Sequence, residues 1–433
     1  MQYHQLIRHS GIEPLFHAIE MSIIASCNHL PFHLHAEGLH GTGKTTALRA
    51  AHALLPPIER IKGCIYNCDP KNPHCPHHKH LTPEQIAQIG TEFIPRPFLE
   101  ISHSAKIASV VGSIDLAKLV DSTQSIAALL PGTIPKAHRG IIFVDEINRL
   151  ADTSPELADV LLDVMGSKPG RIQIEEAGLP VIEMPVEVSI WAASNPDEEP
   201  GRLAEVRRQL SDRFDLTIPV KQPSDTDSVE QILSKKSLIQ SPFEPLSIPD
   251  LSTVSVHEDF QKILANIYVQ FNLESIRSIQ AIENTARLEA LLNQRTSIHM
   301  DDMIKAILPT LSHRTTPQII EQILHYLNLI KNHQEVPYDL SAGVISAQSS
   351  KPTIKKFSLS WFHRFVKKLR ELLPKMPSLS SRSSNAKQNA DSSHQEAQLK
   401  SSTKEEIIAP PKPAVPLSEL KQTDWLKEPQ KND

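Results

Sequence analysis

The sequence predicts an α/β fold: a parallel sheet built around a phosphate-binding loop, followed by a small helical region and a low-complexity tail. Three observations carry this. Gly38-Leu39-His40-Gly41-Thr42-Gly43-Lys44-Thr45 fits G-x-x-x-x-G-K-[ST]. Four apolar residues, Ile141 to Val144, run into two acids, Asp145 and Glu146. Beyond about residue 338 the composition shifts, and Ser, Pro, Lys and Gln dominate 376–433.

The loop sits in the context it needs. Phe32 to Glu37 predicts a short strand entering it, and Thr46 to Leu55 predicts a helix leaving it. Three glycines let the backbone curl around a triphosphate and aim N–H groups at its oxygens. The dipole of the following helix favours the anion. Lys44 is expected to reach the β- and γ-phosphates, and the Thr45 hydroxyl to hold Mg²⁺. With Thr46, residues 38–46 form the expected ATP-binding stretch.

Upstream, residues 1–31 read as helix, with Leu15, Ile19, Ile23 and Ile24 at helical spacing. Downstream, Cys64, Cys68 and Cys75 stand near His77, His78 and His80 in a stretch rich in Pro, Asn and Asp. Such a group could bind Zn²⁺ or an iron–sulfur cluster. Cys-x₃-Cys-x₆-Cys is not a standard finger spacing, however, and ordinary loop thiols are the alternative.

Phe98 to Ile101 is a strand candidate. Ile141 to Glu146 reads as a buried parallel strand with its carboxylates at the C-terminal edge, where ligands sit in open α/β sheets. Asp145 is expected to hold Mg²⁺ through water, and Glu146 to polarise an attacking water as general base. Glu156 to Met165 reads as a helix. Residues 171–175 and 181–184 alternate about Ala177-Gly178 as a hairpin. Val186 to Ala193 is a further strand. It runs into Asn195, which either positions the water or forms a turn before Pro196. Leu216 to Val220 is the last strand. Residues 222–250 mark a boundary, and 257–334 are helical, with Arg277 at a helix head.

In the tail, Phe357, Trp361, Phe365 and Leu369 step by four among Lys and Arg. This predicts a basic amphipathic helix over 355–373, suited to an anionic membrane surface or a partner, or folded back on its own domain. The rest of the tail is expected to be disordered.

The 433 residues carry a formal charge of −5, so nothing at whole-chain level points to nucleic acid. No run of 18 apolar residues exists, and the start lacks a basic, then apolar, leader. Four cysteines do not make a secreted disulfide framework in a chain of this length. The expected location is cytoplasmic.

The order GTGKTT, GCIYNCDP, VVGSIDL, AHRGIIFVDEIN, LLDVM, ASNPDE, QLSDRFDL, LPTLSHR resembles the ATPase (I) subunit of magnesium chelatase over roughly residues 30–315. The resemblance implies an AAA+ fold, with a five-stranded parallel sheet in 1–222, a helical lid in 223–337 and a tail in 338–433. It implies a homo-oligomeric ring, a hexamer, with ATP between subunits. Asn195 matches the first sensor, Arg213 the arginine finger and Arg277 the second sensor; from the residues alone, both arginines read as surface side chains. Segments 102–135 and 171–185 match two inserted hairpins. A von Willebrand A-domain protein and a large chelatase subunit are the implied partners.

There are departures. A Val-Gly-Gln-Glu phrase is missing before the loop, where His9 to Met21 stands instead, and the Ser/Pro-rich tail is not expected of the subunit. Asp145 to Arg149 also resembles the neighbouring MoxR clade, whose members remodel other proteins. A MoxR-like chaperone maturing a metalloenzyme or a membrane-associated complex is therefore the alternative.

Overall fold

Strand β1 (Leu34–Glu37) stands second from one edge of a five-stranded, all-parallel sheet. Its partners are β2 (Phe98–Ile101), β3 (Gly140–Val144), β4 (Val188–Ser194) and β5 (Leu216–Pro219), and the order across the sheet is β5-β1-β4-β3-β2. The structure is a computed structural model and describes residues 3–114, 129–175, 181–234 and 248–332. The helix expected over 355–373 and the remaining tail lie outside them.

The sheet shows why β3 and β4 are nearly continuous apolar runs. Every residue of both is buried. Alternate side chains serve opposite faces. Ile142, Val144, Ile190 and Ala192 enter one core, while Ile141, Phe143, Trp191 and Ala193 enter the other. A side chain such as Phe143, fully withdrawn from water, contributes roughly 2–3 kcal/mol.

On the second face lies α1 (Glu13–Cys27), which buries Leu15, Ile19, Ile23 and Ile24 as their spacing predicts. Beside it is α2 (Lys44–Ala50), continued by one 3₁₀ turn to Leu54. The helix after the loop thus starts two residues earlier than expected and tightens at its end. On the first face lie α3 (Ile147–Thr153) and α4 (Pro155–Val164).

Two antiparallel strand pairs fall in the segments expected to form the inserted hairpins. Gly112–Ile114 pairs antiparallel with Leu129–Pro131, and Gly170–Ile174 with Ile182–Val186. The residues between the paired strands, Ala177-Gly178 included, lie outside the described residues. A third antiparallel pair, Ile58–Ile61 with Ile94 back to Thr91, frames the cysteine-rich stretch and was not foreseen. Residues 222–250, read as a boundary, carry a helix over Thr226–Ser234.

The lid is four helices: α5 (Glu258–Gln270), α6 (Ile276–Leu292), α7 (Met300–Leu311) and α8 (Pro317–Lys331). Ile267, Ile282, Ile307, Ile323 and Leu327 form its own core. Ala286, Leu288 and Leu291 of α6 also join the core under α1 and α2. Among the described residues, no helix is long and apolar enough to cross a membrane.

Candidate nucleotide site

The loop between β1 and α2 is shaped by three glycines with different duties. A Cβ on Gly38 would lie 2.3 Å from the carbonyl oxygen of Val220, so only glycine lets the loop leave beside β5. Gly41 and Gly43 hold φ of +73° and +87°, the left-handed region that other L-residues enter at a cost. Nothing lies within 4 Å of the Cβ position at Gly41, so the crest of the loop faces open space. Leu39 and His40 sit exposed on that crest, and Thr46 lies exposed in the first turn of α2. The Thr42 hydroxyl closes the loop by donating to the Leu39 carbonyl at 2.9 Å.

Lys44 is buried, and its ammonium donates to the carbonyls of Gly38 at 2.5 Å and Leu39 at 2.7 Å. Burial pushes its pKa down, while Asp145, Glu198 and Glu37 pull it back up. The ammonium is therefore held inside the curl of the loop, where phosphate oxygens would meet it.

β3 and β4 deliver the remaining groups to the same edge. Val144 lies opposite Ala192, and Glu37 opposite Ser194, so Asp145 and Glu146 leave β3 level with Ala36 and Glu37 of the loop's own strand, and Asn195 stands level with Gly38. The Thr45 hydroxyl donates to Asp145 Oδ1 at 3.2 Å. Both are hard oxygen donors, the set Mg²⁺ takes one or two of alongside phosphate oxygens and water. These two residues therefore fit the cation.

Glu146 sits at φ +52°, left-handed for a non-glycine residue, at the entrance to α3. That backbone turns its carboxylate out of the sheet, where it accepts from Arg149 at 2.9 Å. Asn195 is buried; its Oδ1 accepts from the Asp197 N–H at 3.2 Å, and its carbonyl accepts from Asn148. The turn-forming reading and the edge position thus hold together in one residue.

Arg213 precedes β5 and Arg277 opens the lid helix α6, and both lie beside Asp212. Arg213 is half-buried against Gly166, where a Cβ would come within 2.8 Å of its Nη1. Burial and then the nearby Arg277 press its pKa down. Among the described residues its guanidinium has no hydrogen-bond partner. Arg277, in the first turn of α6, stands 3.7 Å from Asp212 Oδ2.

Two arginines escaped the sequence reading. Arg49 sits one turn beyond Thr45 on α2; it clamps Glu100 of β2 at 3.0 Å through two nitrogens and reaches Asp145 Oδ2 at 3.5 Å. The i, i+4 step from Thr45 was the available signal. Arg314, just past α7, is almost fully buried. It donates to Asp212 Oδ1 at 3.2 Å and to the carbonyls of Asp212, Phe214 and Thr310 at 2.8, 2.6 and 2.5 Å. It thereby bolts the lid to the segment carrying Arg213. It closes the phrase LPTLSHR, which marks the family but gives this arginine no role.

A phosphate loop on β1, an acid pair on β3, a polar residue ending β4 and a helical lid after β5 define the AAA+ class of P-loop proteins. A model for the AAA lid domain matches residues 261–325, and one for the MCM P-loop domain matches 93–238. The chain is 30% identical over 309 residues to the magnesium-chelatase 38 kDa subunit of Acidiphilium rubrum, covering 67% of this chain and 85% of that one. It is 29% identical to a magnesium-chelatase subunit ChlI homolog of Methanocaldococcus jannaschii, covering 64% and 76%. It is also 29% identical to chloroplastic ChlI-2 of Arabidopsis thaliana, covering 66% and 70%. The chain belongs to the magnesium-chelatase ATPase (I) subunit family.

Proposed function

We propose that the chain is an ATP-hydrolysing motor that works as a ring and drives metal insertion by a larger, chelatase-type complex. The observation that carries this is the Thr45–Asp145 contact of 3.2 Å, with Glu146 next in sequence and Lys44 next to Thr45. In this reading Gly38 to Thr46 bind the triphosphate. Thr45 and Asp145 hold Mg²⁺, which neutralises charge on the phosphates. Glu146 takes a proton from the attacking water, and Asn195 orients that water. Arg213 of one subunit completes the site of its neighbour, and Arg277 reports the nucleotide to the lid. Partners follow from the family: a von Willebrand A-domain protein and a large subunit that carries the tetrapyrrole.

The test is hydrolysis of Mg-ATP by the full chain over a wide range of protein concentration. A site shared between subunits gives a rate per chain that rises with concentration and then levels. A rate per chain independent of concentration, or no hydrolysis at any, contradicts the reading.

A further inference from the structure

The cysteine-rich stretch, which the nucleotide site leaves unused, folds into a ligand cage. The sulfurs of Cys64, Cys68 and Cys75 and a ring nitrogen of His78 all lie within 4.8 Å of one another. All three cysteines are buried, at 3%, 0% and 0% exposure. They are therefore not exposed loop thiols; they stand in the first-face core together with β3 and β4.

Two local turns produce this convergence. Asn67 N–H bonds back to the Cys64 carbonyl at 3.2 Å, and Asn67 takes the left-handed conformation at φ +52°. That turn sets Cys64 and Cys68 side by side. His78 and Lys79 N–H groups bond back to the Cys75 carbonyl at 3.1 and 3.0 Å. This single helical turn puts Cys75 and His78, three residues apart, on one side.

The surroundings suit thiolates. The N–H groups of His74 and Cys75 point at Cys68 Sγ at 3.4 and 3.3 Å. His74 Nδ1 lies 3.3 Å from the same sulfur, and its ring stacks on His138 at 3.7 Å. Donors that orient and stabilise bound thiolates are what surround metal-ligating cysteines. Arg60 fixes the turn through the Cys64 carbonyl and Asn67 Oδ1, and Asn67 donates to the Lys136 carbonyl at 2.7 Å.

We propose that Cys64, Cys68, Cys75 and His78 form a closed, structural Zn²⁺ site. A tetrahedron with Zn–S bonds of about 2.3 Å has sulfurs about 3.8 Å apart, so the four groups need to close by roughly an ångström at most. Three protein sulfurs and one nitrogen fill all four positions, leaving none for a catalytic water. Binding releases three thiol protons to solvent as three Zn–S bonds and one Zn–N bond form, and no electron moves. The site staples the excursion between residues 61 and 91 to the entrance of β3. There Arg139 also holds the Glu59 carbonyl at 2.6 Å and Asp69 at 3.4 Å.

The test uses the full chain purified without a metal-affinity tag. Elemental analysis is expected to find about one zinc per chain. Exchange for Co²⁺ is expected to give the intense visible bands of a tetrahedral ion and a sulfur-to-cobalt charge-transfer band. The chain has four cysteines, and the fourth is Cys27, so a band from several thiolates can come only from this cluster. Cys68→Ser is expected to lose it. His78→Cys is expected to keep the metal with a shifted spectrum, which guards against a serine variant that merely fails to fold. Any of three results overturns the proposal: zinc-free protein with freely titrating thiols and no cobalt band, a disulfide among the three cysteines, or iron with acid-labile sulfide.

Discussion

Thr45 Oγ1 and Asp145 Oδ1 meet at 3.2 Å although 100 residues separate them in sequence. The contact joins the first turn after the phosphate loop to the tip of β3. It exists because β1 and β3 both flank β4 in parallel and so end at one edge.

Lys44→Ala removes the one ammonium held inside the loop. ATP affinity is expected to fall at least about 100-fold, or roughly 3 kcal/mol, from the loss of charge-assisted bonds to phosphate. Calorimetric titration with Mg-ATP checks this, and an affinity within a few-fold of wild type contradicts the assignment.

Glu146→Gln keeps the shape and loses the base. Turnover is expected to drop about 10²- to 10⁴-fold while ATP binding stays intact. Rapid-quench and binding measurements on the same protein separate the two. Normal turnover would remove Glu146 from the role.

Arg314→Ala removes the donor shared by the Asp212 carboxylate and the carbonyls of Asp212, Phe214 and Thr310, while Ser275 and Arg277 remain beside Asp212 and His313 beside the Phe214 carbonyl. Asp212 is partly exposed and keeps Arg277, so the loss is that of charge-assisted hydrogen bonds, about 1.5–3 kcal/mol, and not that of a fully buried, uncompensated charge. Denaturant unfolding is expected to show a loss of that order, and Arg314→Lys recovers little, because a single ammonium cannot reach four acceptors on three residues.

His17 of α1 and Glu289 of the lid helix α6 share a 2.7 Å hydrogen bond. That bond, against an opposing effect of burial, raises the His17 pKa above its ordinary 6.5. A raised histidine contributes below the ordinary value and loses its contribution as pH climbs through the raised one. Stability is therefore expected to slip as pH rises above about 6.5. Because His17 is partly exposed, the change is roughly 0.5 kcal/mol. His17→Gln should flatten that part of the pH profile; an unchanged slope would rule the pair out as its source.

The sequence exposes some of these features and hides others for physical reasons. The loop, the all-apolar β3 and the acid pair are local: the chemistry needs those residues in one stretch. Asn195 and Glu146 could be ranked because each ends a strand that the sheet must align. The role of Arg314 was hidden because most of its partners lie about 100 residues away in sequence and are carbonyls, which any residue supplies. The pairing of Ile58–Ile61 with Thr91–Ile94 was hidden too, since two four-residue strands with a long excursion between them carry almost no periodic signal. The cysteines were visible, but their spacing matched no standard finger. Only the folded turns at Asn67 and Cys75 show that the sulfurs converge.

We propose a nucleotide site built from two subunits, with Arg213 supplied by one and Glu146 by the next. It is tested most directly by mixing two inactive proteins, Arg213→Ala and Glu146→Gln, over a range of ratios. Each alone is expected to fall far below wild type, by about 10³-fold or more for Arg213→Ala. In mixed rings, an intact Glu146 site can face an intact Arg213. Turnover is expected to reappear, peaking at intermediate ratios. If no ratio recovers activity while both variants still bind ATP and co-assemble, the shared site is contradicted.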